Sequence, residues 1–192
     1  ISACLVGSEM CIRDRYRELQ YGHADGNQWV AAECDVSIRP GWFYHPEEDD
    51  KVKTVDQLTD LYYRSVGHNA TLLLNFPVDR NGLIHPTDSL NAVSFHLRVQ
   101  KELADNLLSS AKVSASDERG GQFKVRAVTD GKYDTYWATN DGVTTADLTF
   151  TFSQPTKMNR VMIQEYIPLG QRVKSFVCLL YTSPSPRDRQ KS

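Results

Sequence analysis

No stretch of this chain approaches the roughly 20 consecutive apolar residues that a membrane-spanning helix needs, so no span is expected within it. Positive charge is not in excess either: 22 Lys and Arg face 24 Asp and Glu, a formal net charge of -2. The basic field that draws nucleic acid or an anionic membrane surface is therefore missing. Cysteine is scarce as well. Of four, Cys4, Cys11 and Cys178 fall in two end segments that read as foreign, which leaves Cys34. The cysteines thus argue neither for a disulfide framework nor for a particular redox compartment. Without the end segments, which hold five basic and three acidic residues, the net charge becomes -4. No leader is visible, and since a leader would precede such a segment its absence carries no weight.

The foreign ends announce themselves by a shared origin. The chain opens with "LVGSEMCIRDR" and closes with "CLLYTSPSPRDRQKS". DNA coding for G-S-E-M-C-I-R-D as GGC TCG GAG ATG TGT ATA AGA GAC has a complementary strand that, one base out of step, reads C-L-L-Y-T-S-P-S. A single primer element translated from opposite strands can supply both ends, and such scars are set aside before a fold is argued. Residues 1–15 and 177–192 are assigned to that element, and the natural protein is expected to run from about Tyr16 to Phe176 as a fragment open at both ends.

What remains changes character midway. From Trp29 to Leu107, apolar runs alternate with helical periods, the mark of an α/β layer or barrel. Thr54 and Gln57 form a T-x-x-Q capping box, Val55, Leu58, Leu61, Tyr62 and Val66 follow at helical spacing, and Gly67 is the expected stop. "LLLNF" is apolar without alternation, as in a parallel strand buried on both faces. A second helix is expected from about Thr87 to Leu107. Beyond "LLSSAKVSAS" the pattern becomes all-β: "DLTFTFS" puts Leu148, Phe150 and Phe152 on one face, and "RVMIQEY" reads as a further strand. The domains are accordingly placed at 16–108 and 109–176. The second, at about 65 residues against the roughly 100 of a typical sandwich of this kind, is expected to be cut through.

Polar and aromatic residues concentrate after the first strand, in "ECDVSIRPGWFYHPEEDD". Loops following the strands of an α/β barrel face its active site, so Glu33, Asp35, Ser37, Arg39, Trp42, Tyr44 and His45 are candidates to line a pocket. Tryptophan beside carboxylates and a guanidinium suits a sugar: the ring face stacks on C–H groups while hydroxyls take charged hydrogen bonds. "EEDD" reads as a solvated edge, and His68, Asn69, His85 and His96 as surface or packing residues. Asn75, ending the second strand, is placed within reach of the pocket.

The stretch "WVAAECDVSIRPGWFYHPEEDDKVKTVDQLTDLYYRSVGHNATLLLNFPVDRNGLIH" resembles the end of the catalytic barrel in the α-L-fucosidases of glycoside hydrolase family 29, through "SIRPGWFYH", "YYRSVGHNATLLLN" and "GLIH" in one order. The resemblance implies the seventh and eighth strands of a (β/α)8 TIM barrel, and a retaining exo-glycosidase of bacterial type acting on fucosylated glycans with an Asp nucleophile and a Glu acid/base. Both carboxylates lie upstream of Tyr16 in that family, so no catalytic residue is assigned here and Glu33 and Asp35 are not the pair. Trp42 falls where the family places an aromatic against the fucose C6 methyl, and Glu33, Arg39 and Asn75 are carried as further substrate-binding candidates. Ala31 stands where relatives often have Pro.

The segment from "SSAKVSASDERGGQFKVRAVTDGKYDTYWAT" to "QEYIPLGQRVKSF" resembles the first half of a discoidin, or coagulation factor 5/8 type C, module, a galactose-binding-like β-sandwich. Many such modules hold a structural calcium, and the resemblance makes Asp130, Asp134 and Thr135 its candidate ligands. Trp137 is read as core. No cofactor is expected for catalysis, and the family implies a periplasmic or secreted protein. Two alternatives stay open: a non-catalytic carbohydrate-binding or adhesion protein, and another glycosidase on the same barrel.

Overall fold

The computed structural model describes residues 32–170 and 172–179. The first end segment, and the second beyond residue 179, lie outside the described residues, as does Trp29; Val177, Cys178 and Leu179 are exposed. The chain divides into two compact units between Asp105 and Asn106. No helix among the described residues is long and apolar enough to cross a membrane.

The first unit runs strand, helix, strand, helix. Strands β1 (Ala32–Ser37) and β2 (Ala70–Asn75) pair in parallel, Cys34 opposite Leu72 and Ser37 opposite Asn75. Helix α1 (Val55–Ser65) makes the crossover that a parallel pair requires. It begins where the sequence says it should. Thr54 Oγ1 accepts from the Gln57 amide at 3.3 Å, and Gln57 Oε1 accepts from the Thr54 amide at 2.9 Å. Its end differs from expectation: the chain tightens into a 3-10 turn over Val66–His68, and the left-handed residue that stops it is Asn69, at φ 66, rather than Gly67. After glycine, asparagine is the residue that takes this conformation most readily.

Alternation along the strands separates two faces. Cys34, Val36, Leu72 and Leu74 share the face on which Ile38, Val52 and Leu58 form the core, with Leu61, Phe76 and Phe95 packed against it. Glu33, Asp35 and Ser37, with Thr71, Leu73 and Asn75 beside them, share the other. Leu73 is 52% exposed there. The expected burial of β2 on both faces is therefore not found among the described residues, because helices cover one side of this two-stranded sheet only.

Helix α2 (Pro86–Glu102) is shorter than the expected span to Leu107. It starts with Pro86 in the first turn and His85 as its cap, Nδ1 accepting from the Thr87 amide. It ends early because Asn106 caps the next turn, Leu107–Ser110, through its side chain and the Leu108 amide. Leu90, Val93 and Leu97 form an exposed stripe along α2.

In the second unit, β3 (Lys112–Ala115) and β4 (Leu148–Thr151) pair antiparallel, Val113 opposite Phe150. Phe150 and Phe152 are half-buried while Thr149 and Thr151 face solvent, as the alternation requires, but Leu148, expected on the same face as the two phenylalanines, is exposed at the start of the strand. "RVMIQEY" is not a strand: residues 160–166 have no ladder partner among the described residues, and Val161, Met162 and Ile163 are exposed. Aromatic packing does much of the work instead. Tyr136 stacks on Tyr166 at 4.5 Å and meets Phe123 at 5.1 Å, while half-buried Trp137 donates from Nε1 to the Asp117 carbonyl.

Candidate functional site

In parallel α/β sheets, ligands gather beyond the carboxyl ends of the strands. Here those ends are Ser37 and Asn75, and between Ser37 and α1 runs the loop that carries Trp42. The Ile38 amide donates to the Asn75 carbonyl at 3.0 Å, which carries the ladder one residue past β1. Lys53 closes the base of the loop. Its ammonium donates to the Ser37 carbonyl at 2.6 Å and the Arg39 carbonyl at 3.3 Å, and burial pulls its pKa below the usual lysine value.

Arg39 is not at a surface. Its side chain is 0% exposed and its Nε and Nη2 donate to the two Asp88 oxygens at 2.8 and 2.9 Å. Nη1 faces Asp49 at 2.9 Å and the His45 carbonyl at 3.4 Å, and the guanidinium lies 4.6 Å over the Tyr44 ring. Asp88 is also 0% exposed, and its hydrogen bonds are the first cause that raises the Arg39 pKa above its already high value. The donors of Arg39 are engaged inside the fold, tying the Trp42 loop to the first turn of α2.

Two partners of this brace escaped sequence reading. Asp88 looks like an ordinary acid in a first helical turn, where the dipole favours it; the signal was Arg39 itself, a cation at the end of an apolar strand that needs a buried carboxylate. Sequence alone places Asp49 in the solvated "EEDD" edge. It is instead half-buried, against Arg39, Tyr44 and His85, with Tyr44 donating to it at 3.4 Å. Burial, then the Asp49 charge, raises the Tyr44 pKa.

Trp42 is 50% exposed and Phe43 77% exposed. The Asn75 amide donates to the Trp42 carbonyl at 3.1 Å and to Ser37 Oγ at 3.2 Å. The structure therefore brings Trp42 and Asn75 together. Glu33 is exposed at the opposite end of β1, on the face it shares with Asn75.

In the second unit, the Asp130 carboxylate accepts from the Lys132 amide at 2.9 Å and the Thr135 hydroxyl at 2.7 Å, which together hold its pKa below the usual carboxylate range, the amide first. Asp134 is exposed in the same turn. Among the described residues no three His, Cys, Asp or Glu side chains are grouped to hold a metal. Asp130 and Thr135 meet through that hydroxyl hydrogen bond, which brings together two oxygens of the kind a hard cation takes.

Comparison with known proteins gives these elements a context. Residues 112–183 match the F5/8 type C domain. The chain is 39% identical over 160 residues to Alpha-L-fucosidase 1 of Arabidopsis thaliana, covering 82% of this chain and 31% of that protein. It spans under a third of the length of the curated relatives it matches. Among crystal structures, a Bacteroides thetaiotaomicron protein described as an α-L-fucosidase superposes with a TM-score of 0.69 at 45% identity, over 79% of this chain and 33% of that one. A GH29 fucosidase of Ruminococcus gnavus in complex with fucose gives 0.62 at 36% identity, over 66% of this chain and 26% of that one. In sequence and in fold the chain is similar to α-L-fucosidases, GH29 fucosidases among them, over 26% to 33% of their length, and its residues 112–183 match the F5/8 type C domain.

Proposed function

We propose that this chain is part of a retaining exo-α-L-fucosidase that removes terminal fucose from glycans, and that its first unit is the closing segment of the (β/α)8 barrel. The observation that carries the reading is Trp42: a half-exposed indole on a loop fastened at the carboxyl ends of two parallel strands. That is the place of a substrate platform, and an indole matches the apolar C6 methyl and ring face of fucose. The uncovered faces of β2 and α2 suit a barrel whose other strands and helices lie elsewhere in the protein. In this reading the Asp nucleophile and Glu acid/base, set about 5 Å apart across the scissile bond, come from that remainder, so the chain alone is inactive. The second unit is the discoidin-like module, with Asp130, Asp134 and Thr135 as its calcium ligands, in a bacterial protein that works in the periplasm or outside the cell.

The test uses the full-length enzyme recovered with its flanking gene and an aryl α-L-fucoside. Trp42→Ala should lower kcat/KM by about 30-fold to 1000-fold, the equivalent of about 2 to 4 kcal/mol of lost apolar contact. If the variant melts earlier but keeps its kcat/KM, Trp42 is a packing residue and the reading fails.

A further inference from the structure

We propose that Asn75 is a positioning residue, which holds Trp42 at the substrate through Trp42's own main-chain carbonyl. The inference rests on the reading of Trp42 above and adds a part to it. Asn75 clamps the loop from both of its polar ends. Its main-chain carbonyl accepts from the Ile38 amide at 3.0 Å, at the start of the loop, and its side-chain amide donates to Ser37 Oγ at 3.2 Å and to the Trp42 carbonyl at 3.1 Å. A carboxamide has two N–H donors, and both are used here inside the protein. A sugar hydroxyl would have to displace one of them to receive a hydrogen bond.

The remaining fastenings of the loop lie elsewhere along it. Lys53 grips the carbonyls of Ser37 and Arg39, and Asp88 and Asp49 grip the Arg39 guanidinium. The guanidinium in turn holds the His45 carbonyl and lies over the Tyr44 ring, and Tyr44 donates to Asp49, so these fastenings act on residues 37–39, 44, 45, 49 and 53, on either side of the tip. Between Pro40 and Phe43, the hydrogen bond from Asn75 is the one hold found among the described residues. The tip has little packing of its own: Trp42 and Phe43 are largely exposed, and Gly41 has open space around its α-carbon. Without the Asn75 donor, the base of the loop stays closed while the indole is released. A misplacement of about 1 Å in a positioning group is enough to cost on the order of 100-fold in rate.

The experiment is run on the full-length enzyme with two substrates, an aryl α-L-fucoside and the otherwise identical pentopyranoside that lacks the C6 methyl. A hydrophobic pocket distinguishes one such carbon by about 10-fold to 200-fold in kcat/KM. Asn75→Asp keeps the shape but turns a lone pair toward the Trp42 carbonyl, and Asn75→Ala removes the donor without adding charge should the first variant not fold. Either should bring the preference for the methyl down to about threefold or less, as Trp42→Ala does, and combining it with Trp42→Ala should lower the preference no further. Loss of folded enzyme alone scales both substrates equally and leaves the ratio unmoved. A preference that survives in both Asn75 variants but vanishes in Trp42→Ala would overturn the positioning role while sparing the function. A preference that survives in Trp42→Ala would overturn both.

Discussion

Replacing Asp88 by Asn tests the brace beneath the loop. The change keeps the side chain's size, so no cavity forms, but it removes the charge that two guanidinium N–H groups point at from 2.8 and 2.9 Å. Both side chains are 0% exposed. Removing one partner of a buried pair leaves the other charged and unsolvated, which costs about 3 to 5 kcal/mol. Asp49, 2.9 Å from the third guanidinium nitrogen but 35% exposed, retains part of the compensation, which places the expected loss near the lower end, about 3 kcal/mol. In the full-length enzyme, whose barrel domain is on the order of 250 residues, the melting temperature should fall by roughly 6 to 12 °C. Thermal and urea unfolding, with hydrogen exchange at Ile38 and Arg39, measure the loss and locate it. Arg39→Met combined with Asp88→Leu should cost less than Asp88→Asn alone, because it removes both charges together. A loss under about 1 kcal/mol, or a double variant worse than the single one, would refute the claim that this pair fastens the loop to α2.

Thr54→Ala should cost about 1 kcal/mol, by opening the reciprocal cap of α1, and circular dichroism should show fraying confined to that helix. Asp130 has a folded pKa below its unfolded one, so its contribution to stability is present above the ordinary carboxylate range and is lost as pH falls through the depressed value. Thr135→Val should raise its titration midpoint partway, the Lys132 amide still holding it down; an unmoved carboxyl resonance would show that the hydroxyl contact does not form in solution. If calcium binds there, a hundredfold excess over its dissociation constant adds about 2.7 kcal/mol, and Asp130→Ala should abolish that gain.

Much of the architecture was legible because its causes are local. A capping box spans four residues, so Thr54 and Gln57 declare the start of α1 without help from the rest of the chain. Alternation in "DLTFTFS" shows which face of β4 is covered because neighbouring side chains on a strand point oppositely. The α/β pattern and the two family resemblances were likewise visible in residue order. What the sequence could not convey depends on partners far away along it. Residues 160–166 have a strand's composition, yet a strand exists only with a neighbour to accept its hydrogen bonds. Arg39 reads as a loop cation open to substrate until Asp88, 49 positions later, closes on it. Asn75 reads as a pocket residue until its amide is found on the Trp42 carbonyl, 33 positions back. Composition establishes that a buried cation needs a carboxylate and that an amide has two protons to give; only the packing of β1, β2 and α2 decides which groups receive them, since burial makes those pairings obligatory.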